Sequence, residues 1–471
     1  MTAQPHPFRM LVDGELVEGT GAIDVVNPAT GRAFARCPVA DRGLLDKAVE
    51  AAGRAFPDWA RRAWDERAGL VRRLADALEA EKAAFARQLT EEQGKPLPHA
   101  EGEILRGAAT LRTFADMTLD PLILRENQAG RVVEHRSPLG VVAAITPWNF
   151  PIILLASKLA PALVAGNTLV VKPAPTTPLT TLMLARLCAE IFPRGVVNVI
   201  CDANDLGNAL TSHPGVAKVA FTGSTATGRK VMASAAETIK RLTLELGGND
   251  AAIGVDDVDP VEAAGRGFTS AMLNSGQVCV AIKRAYVPAA MYDPFCDELV
   301  RLAEAVIVDD GMRQGTQLGP VQNEAQYERL KKLLEETEAE GNVVAGGGPL
   351  DRPGYFIAPT IVRDIADDAR LVREEQFGPV LPVLSYTQVD DAIARANASE
   401  YGLAATVWGS DTARALDVAG RVEAGTVWVN QHMAIDPAIP FGGAKQSGMG
   451  TELGIQGLRE YTQAKIVNLA F

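Results

Sequence analysis

Leu139-Gly-Val-Val-Ala-Ala-Ile-Thr146 and Thr168-Leu-Val-Val-Lys172 are two short runs of small and β-branched apolar residues. Between them, residues 152–165 are apolar and long enough for a helix. Strand, helix, strand over this length is a βαβ unit, and such a crossover demands a parallel sheet. Lys158, Pro161 and Asn167 interrupt the apolar stretch, so it reads as core rather than as a membrane span.

The same alternation continues outward. Downstream, a helix over about 177–191 precedes strands at Val196–Cys201 and Val216–Phe221. Phe221-Thr-Gly-Ser-Thr-Ala-Thr-Gly228 then leaves a strand and enters a helix, and Ile239–Leu246 is the next strand. Upstream, apolar residues recur at three and four from Leu44 to about Phe56 and from Glu66 to about Glu92, where Gly94-Lys95-Pro96 ends the pattern. A further helix is predicted over Ala100–Met117, and residues 10–26 alternate as short strands around Asp13-Gly14 and Thr20-Gly21. Residues 119–137 form strand-like pieces about the polar turn Glu126-Asn-Gln-Ala-Gly130.

Residues 1–117 and 138–247 together read as a dinucleotide-binding domain of Rossmann type. A second α/β region over 248–448 has predicted helices near 260–273, 290–306 and 322–340, with strands near 251–255, 284–288, 380–385 and 425–430. Ala464–Phe471 reads as an edge strand needing a partner. Residues 118–137 and 449–471 are grouped with it as a small β element.

Composition narrows the function classes. A chain of 471 residues, 47% apolar and 22% charged, is long enough for two or three domains with ample core. Net charge is −12 and no basic stripe is visible, which argues against nucleic acid as a partner. Cysteines at 37, 188, 201, 279 and 296 show no CxxC and no zinc spacing, which fits a reducing, cytoplasmic setting and no metal. Met1-Thr-Ala-Gln-Pro-His has no charged region leading into an apolar core, so no signal peptide is expected. Five scattered histidines disfavour a His-based triad.

Two stretches carry chemistry. In Asn274-Ser-Gly-Gln-Val-Cys279-Val-Ala, a thiol sits between valines, where inert packing is the ordinary role. In Leu244-Glu245-Leu246-Gly247-Gly248-Asn249, a lone carboxylate ends an apolar run. A thiol attacks as its thiolate and needs a base or a positive field at neutral pH, and a Glu of raised pKa supplies such a base or activates water.

These stretches occur in order with Pro147-Trp148-Asn149-Phe150-Pro151, Lys172-Pro-Ala174, Phe221-Thr-Gly-Ser224, Glu374-Glu-Gln-Phe-Gly-Pro379 and Pro440-Phe-Gly-Gly443. Together they resemble the NAD(P)-dependent aldehyde dehydrogenase superfamily over nearly the whole chain. The resemblance implies that family's fold: a Rossmann-type cofactor domain, an α/β catalytic domain, and a small β element that assembles a homodimer or homotetramer.

It also implies roles. Cys279 would be the nucleophile, Glu245 the base for water, and Asn149 an oxyanion donor beside the Cys279 N–H. Gly223 and Ser224 would meet the cofactor pyrophosphate, Lys172 the adenosine ribose, Glu375 and Phe377 the nicotinamide half, with Trp148 and Leu246 on the same side. Phe150, Leu154, Ser157, Val278, Val280, Ile435 and Phe441 match the substrate tunnel and suit an apolar aliphatic or aromatic aldehyde. Lys158 and Glu452 match a charged pair that either relays the proton of the base or is a structural ion pair. Pro175 stands where NAD-preferring members often carry a Glu, which leaves NAD and NADP both open. Ser157 and Leu273 occupy positions where succinate-semialdehyde dehydrogenases carry arginines. Other readings are a semialdehyde dehydrogenase, a CoA-acylating dehydrogenase, a thiol esterase and a non-enzymatic protein on the same fold.

Overall fold

The computed structural model describes residues 8–471. The βαβ unit is present as strand Val141–Ile145, helix Pro151–Ala165 and strand Thr168–Lys172. The helix is apolar and buried on nearly every side, as expected of an element wedged between a sheet and other helices. Its sheet runs Glu15–Val17, Met10–Val12, Val197–Val199, Thr168–Lys172, Val141–Ile145, Lys218–Thr222, Arg241–Glu245 and Gly448–Met449. The five central strands are parallel, and the outer ones attach antiparallel.

From Val141–Ile145 the chain winds outward through Thr168–Lys172 to Val197–Val199, then returns to Lys218–Thr222 on the other side of the first strand. That reversal is a topological switch point, and the crevice beyond the carboxyl ends of the strands is where such sheets bind ligands.

A second sheet runs Asn342–Ala345, Thr360–Arg363, Val380–Tyr386, Ile282–Pro288, Asp250–Gly254, Ala404–Trp408 and Thr426–Val429. All but the first of these pairings are parallel. A third, three-stranded sheet centres on Gly130–Pro138, flanked by Leu122–Asn127 and by Thr462–Ala470. The hairpin and the predicted edge strand are thus each other's partners.

Some local expectations need correction. The segment expected as one helix over 66–92 is two, Trp64–Ala80 and Lys82–Gln93, jointed at Glu81 with φ −99° and ψ 12°. The helix expected to stop at Phe56 runs Arg42–Arg61 through Pro57, and the buried Trp59 anchors the turn after the proline. Among the described residues no helix is long and apolar enough to cross a membrane. Nor is any group of three His, Cys, Asp or Glu gathered as for a metal ion among them.

Candidate active site

Thr146–Asn149 and Gly223–Ser224 leave the two strands at the switch point, so both stretches border the crevice. The loop carrying Cys279 approaches from the second sheet, ahead of strand Ile282–Pro288. Gly276 has φ +71°, and a Cβ there would come within 2.0 Å of the Gly378 carbonyl oxygen, so only glycine fits. Asn274 and Ser275 are also left-handed, at φ 53° and 55°. Such residues cost of order 1–3 kcal/mol each and persist only when their surroundings over-determine them.

The surroundings here do so. Ser275 Oγ donates to the Gly319 carbonyl at 2.7 Å, and Gln277 Nε2 to that of Asn274 at 2.9 Å. Gln277 Oε1 accepts from the Gln322 N–H at 2.8 Å. Lys283 Nζ donates to the carbonyls of Val278 at 2.9 Å, Cys279 at 2.6 Å and Ala281 at 3.3 Å.

The thiol so displayed is half-buried, whereas the other four cysteines are fully buried. Burial pushes the Cys279 thiol up to about 12; Lys283 pulls it back, and Glu245, Asp250 and Glu375 push it further up. The resting thiol is therefore protonated at neutral pH.

Asn149 Nδ2 donates to the Gln277 carbonyl at 3.0 Å. An amide nitrogen carries two hydrogens, so one N–H remains for another acceptor. The backbone that presents Asn149 is held by Lys95, whose Nζ donates to the Asn149 carbonyl at 2.8 Å and to Glu103 Oε2 at 2.5 Å. Glu103 Oε1 in turn accepts from the Ile152 N–H at 3.0 Å, tying the pair to the first turn of helix Pro151–Ala165.

Glu245 ends strand Arg241–Glu245, in register with Thr222. Its Oε1 is buried without a hydrogen-bond partner among the described residues. Burial, then the charge of Glu452, holds its carboxyl well above the usual carboxylate range, and Lys158 opposes them. The Gly248 N–H donates to Glu375 Oε1 at 3.0 Å, so the glycine turn after Glu245 is ordered by a different carboxylate. Lys158 is fully buried and donates to Glu452 Oε1 and to Thr222 Oγ1, the latter at 2.6 Å. The Ser157 hydroxyl lies 3.1 Å from Glu452 Oε2, so its polarity is turned toward that pair.

The residues matched to the cofactor lie around the same crevice. Ser224 N-caps helix Thr225–Ala235, accepting from the Thr227 N–H at 3.3 Å, and a helix N-terminus favours an anion. A Cβ on Gly228 would come within 2.5 Å of Leu246 Cδ2, so Leu246 packs directly on that helix. Trp148 and Phe377 meet edge to face with centroids 5.3 Å apart. Lys172 Nζ lies 2.7 Å from Asp202 Oδ1, both side chains almost fully buried, and Pro175 is half-buried just beyond. A helix-capped anion site at Ser224, a buried lysine at the end of a switch-point strand, a half-buried carboxylate at Glu375 and paired aromatics fit a dinucleotide.

An apolar cluster walls the thiol. Val278, Val280, Ala281, Leu403, Ala404 and Trp428 are buried in it, and Phe150, Leu273, Met433 and Phe441 pack against them with Cys279. Leu154 is half-buried nearby in sequence to Phe150, and Ile435 is 43% exposed. Sequence reasoning missed Lys283, Lys95, Glu103, Asp202 and Met433. A buried lysine has no periodic signature. The one available cue was Lys95 in the helix-ending Gly94-Lys95-Pro96, which reads as punctuation.

Residues 16–467 match the aldehyde dehydrogenase family. The chain is 39% identical to a betaine aldehyde dehydrogenase of Rhizobium leguminosarum, over 99% of this chain and 98% of that protein. It is 38% identical to a phenylacetaldehyde dehydrogenase of Pseudomonas fluorescens, over 99% and 96% of the two chains. Its fold is similar to that of an aldehyde dehydrogenase from Bacillus cereus solved with NAD+, with a TM-score of 0.97, 38% identity, and 99% and 97% coverage. With its parallel sheets, its switch-point crevice and these relatives, the chain belongs to the aldehyde dehydrogenase family, whose members are oxidoreductases using NAD or NADP.

Proposed function

We propose that this enzyme oxidises an apolar aliphatic or aromatic aldehyde to its carboxylic acid through a covalent thioester on Cys279. The observation that carries the reading is a half-buried thiol within electrostatic reach of a buried carboxylate, Glu245, whose Oε1 has no hydrogen-bond partner among the described residues. An unsatisfied buried carboxylate is costly, and an approaching water would satisfy it.

The Cys279 thiol, half-open to solvent, gives up its proton to solvent; the thiolate attacks the aldehyde carbon, the C=O π bond opens, and its oxygen takes up the negative charge. The free N–H of the Asn149 amide and the Cys279 N–H hold that oxyanion, which stabilises the tetrahedral adduct electrostatically. The oxyanion collapses, the aldehyde hydrogen departs as hydride, and a thioester remains on Cys279. NAD(P), when bound, supplies the hydride acceptor; Ser224, Gly223, Lys172, Leu246, Glu375, Phe377 and Trp148 would hold it. Glu245 then removes a proton from water, which attacks the thioester and releases the acid. Lys158 and Glu452 take the proton onward. Dividing the oxidation this way replaces one difficult step by two easier ones.

Leu273, Met433, Phe441 and Phe150 around the thiol support an apolar substrate. Ser157, turned to Glu452, offers no charge to a distal carboxylate. The exposed Leu122, Ile123, Leu124, Val467 and Leu469 of the three-stranded sheet support assembly into a homodimer or homotetramer there. The test is Cys279→Ala assayed with a panel of aldehydes and both cofactors. The parent should turn over apolar aldehydes best, and the variant should lose all aldehyde oxidation while still binding cofactor. More than about one percent residual turnover would remove Cys279 as the nucleophile.

A further inference from the structure

We propose that Lys283 is a positioning residue: by drawing the carbonyls of Val278 and Cys279 to its ammonium, it aims the Cys279 N–H and thiol into the cleft. The inference rests on the reading of Cys279 as nucleophile.

The geometry follows from the peptide plane. The Val278 carbonyl and the Cys279 N–H belong to one planar trans unit and point in opposite directions. Holding that oxygen 2.9 Å from Nζ therefore turns the N–H away from Lys283. The next carbonyl, of Cys279 itself, is held at 2.6 Å, so both peptides flanking the nucleophile are fixed from one point. With Ala281 the three donors of the ammonium are all used, and the side chain is almost wholly buried, with 2% of its surface exposed. Bonds from a charged donor are about twice as strong as neutral ones and polarise the amide beyond, making its N–H a better donor to an oxyanion.

The neighbouring charges leave this task to Lys283. Glu375, on the loop before strand Val380–Tyr386, has Oε1 3.7 Å from Nζ. Asp250, on strand Asp250–Gly254, and Glu245, on strand Arg241–Glu245, oppose ionisation of the thiol as Glu375 does, and Lys283 is the cation that favours it. Arg284 spends its guanidinium on the Asn249 carbonyl, at 2.7 and 3.0 Å, and on Tyr286. His432, on the loop after Thr426–Val429, contacts the Val280 carbonyl at 2.6 Å, and burial lowers it to about 4, so it carries no charge at neutral pH.

Alkylation of cofactor-free enzyme by iodoacetamide, followed on the Cys279 peptide by mass spectrometry from about pH 6 to about pH 10, reads the thiolate directly. Lys283→Met should slow alkylation about tenfold at neutral pH and move the profile up by about one pH unit. Lys283→Arg, which keeps a charged donor, should stay within about threefold of the parent. A folded Lys283→Met enzyme with the parent's profile would overturn the proposal, because a merely structural lysine changes stability and leaves the thiol alone. If the Met variant does not fold, the Arg variant decides: a profile raised by about one unit despite the retained charge overturns it, and a parental one supports it. If alkylating the parent leaves aldehyde oxidation intact, the nucleophile reading fails instead.

Discussion

Glu245→Gln keeps the shape and hydrogen-bonding capacity of the side chain and removes only its ability to accept a proton at neutral pH. The buried carboxyl sits well above the ordinary carboxylate range, so the parent's deacylation should rise with pH as Glu245 ionises. In the variant that pH dependence disappears. A positioned base contributes about 10²- to 10⁴-fold to its step, equivalent to about 3–5 kcal/mol of barrier. Hydride transfer does not use this base, so a stopped-flow trace at 340 nm should show a burst of reduced cofactor near one per active site, then turnover slowed by that factor. Mass spectrometry of quenched enzyme should find the acyl group on Cys279. Stability gives an independent check of sign. A carboxyl whose pKa is raised in the folded state binds its proton more tightly there than in the unfolded chain, so its contribution is kept at low pH and lost as pH rises above about 4.5 toward the raised value. The Gln variant should therefore be at least as stable as the parent in mildly alkaline buffer. A missing burst would place Glu245 before hydride transfer, as base for the thiol, and undiminished turnover would remove it from the mechanism.

Pro175→Glu should move the ratio of kcat/KM values toward NAD, because a carboxylate beside Lys172 would bond a ribose diol and repel a 2′-phosphate; an unchanged ratio means that Pro175 does not face the ribose. Gly276→Ala combines a left-handed φ of +71° with a backbone clash at 2.0 Å, and should destabilise the fold by about 3 kcal/mol or more. An unaltered denaturant midpoint would show that the Cys279 loop is not held as described. Lys158→Met should leave Glu452 buried without its cation, costing about 3–5 kcal/mol, and a thermal midpoint within a degree or two of the parent's would refute the pairing.

The parts of this molecule that were legible in the sequence are those with a local period or a local turn. The central βαβ unit is one: its strands are short apolar runs, and the helix between them has the right length. The turn at Gly223-Ser224 is another, since a strand followed by glycine and a capping serine dictates its own geometry. What was not legible depends on partners far apart in the chain. Strands Thr360–Arg363 and Ala404–Trp408 are too short to announce themselves without the neighbours that pair with them. The joint at Glu81 breaks a helical period that runs unbroken through it in the sequence. Lys283 and Lys95 look like surface residues until the carbonyls of Cys279 and Asn149 are brought to them by tertiary contact. Met433 joins the thiol's wall only through the return of a loop from the second sheet.

The Lys158–Glu452 pair has a consequence for the order in which the enzyme is made. Its two members are 294 residues apart. At ordinary translation rates of about 5–20 residues per second, a newly made Lys158 waits about 15–60 s for its carboxylate to be synthesised. Asn167 waits as long for the carbonyl of Tyr461, to which its side chain donates at 2.9 Å. The sheet that forms the switch-point crevice thus gains Gly448–Met449, and the buried cation near Glu245 its counter-charge, only in the closing seconds of synthesis. A ribosome-bound chain halted before residue 448 already carries Cys279, Asn149 and Glu245, yet its buried Lys158 has no Glu452 to pair with.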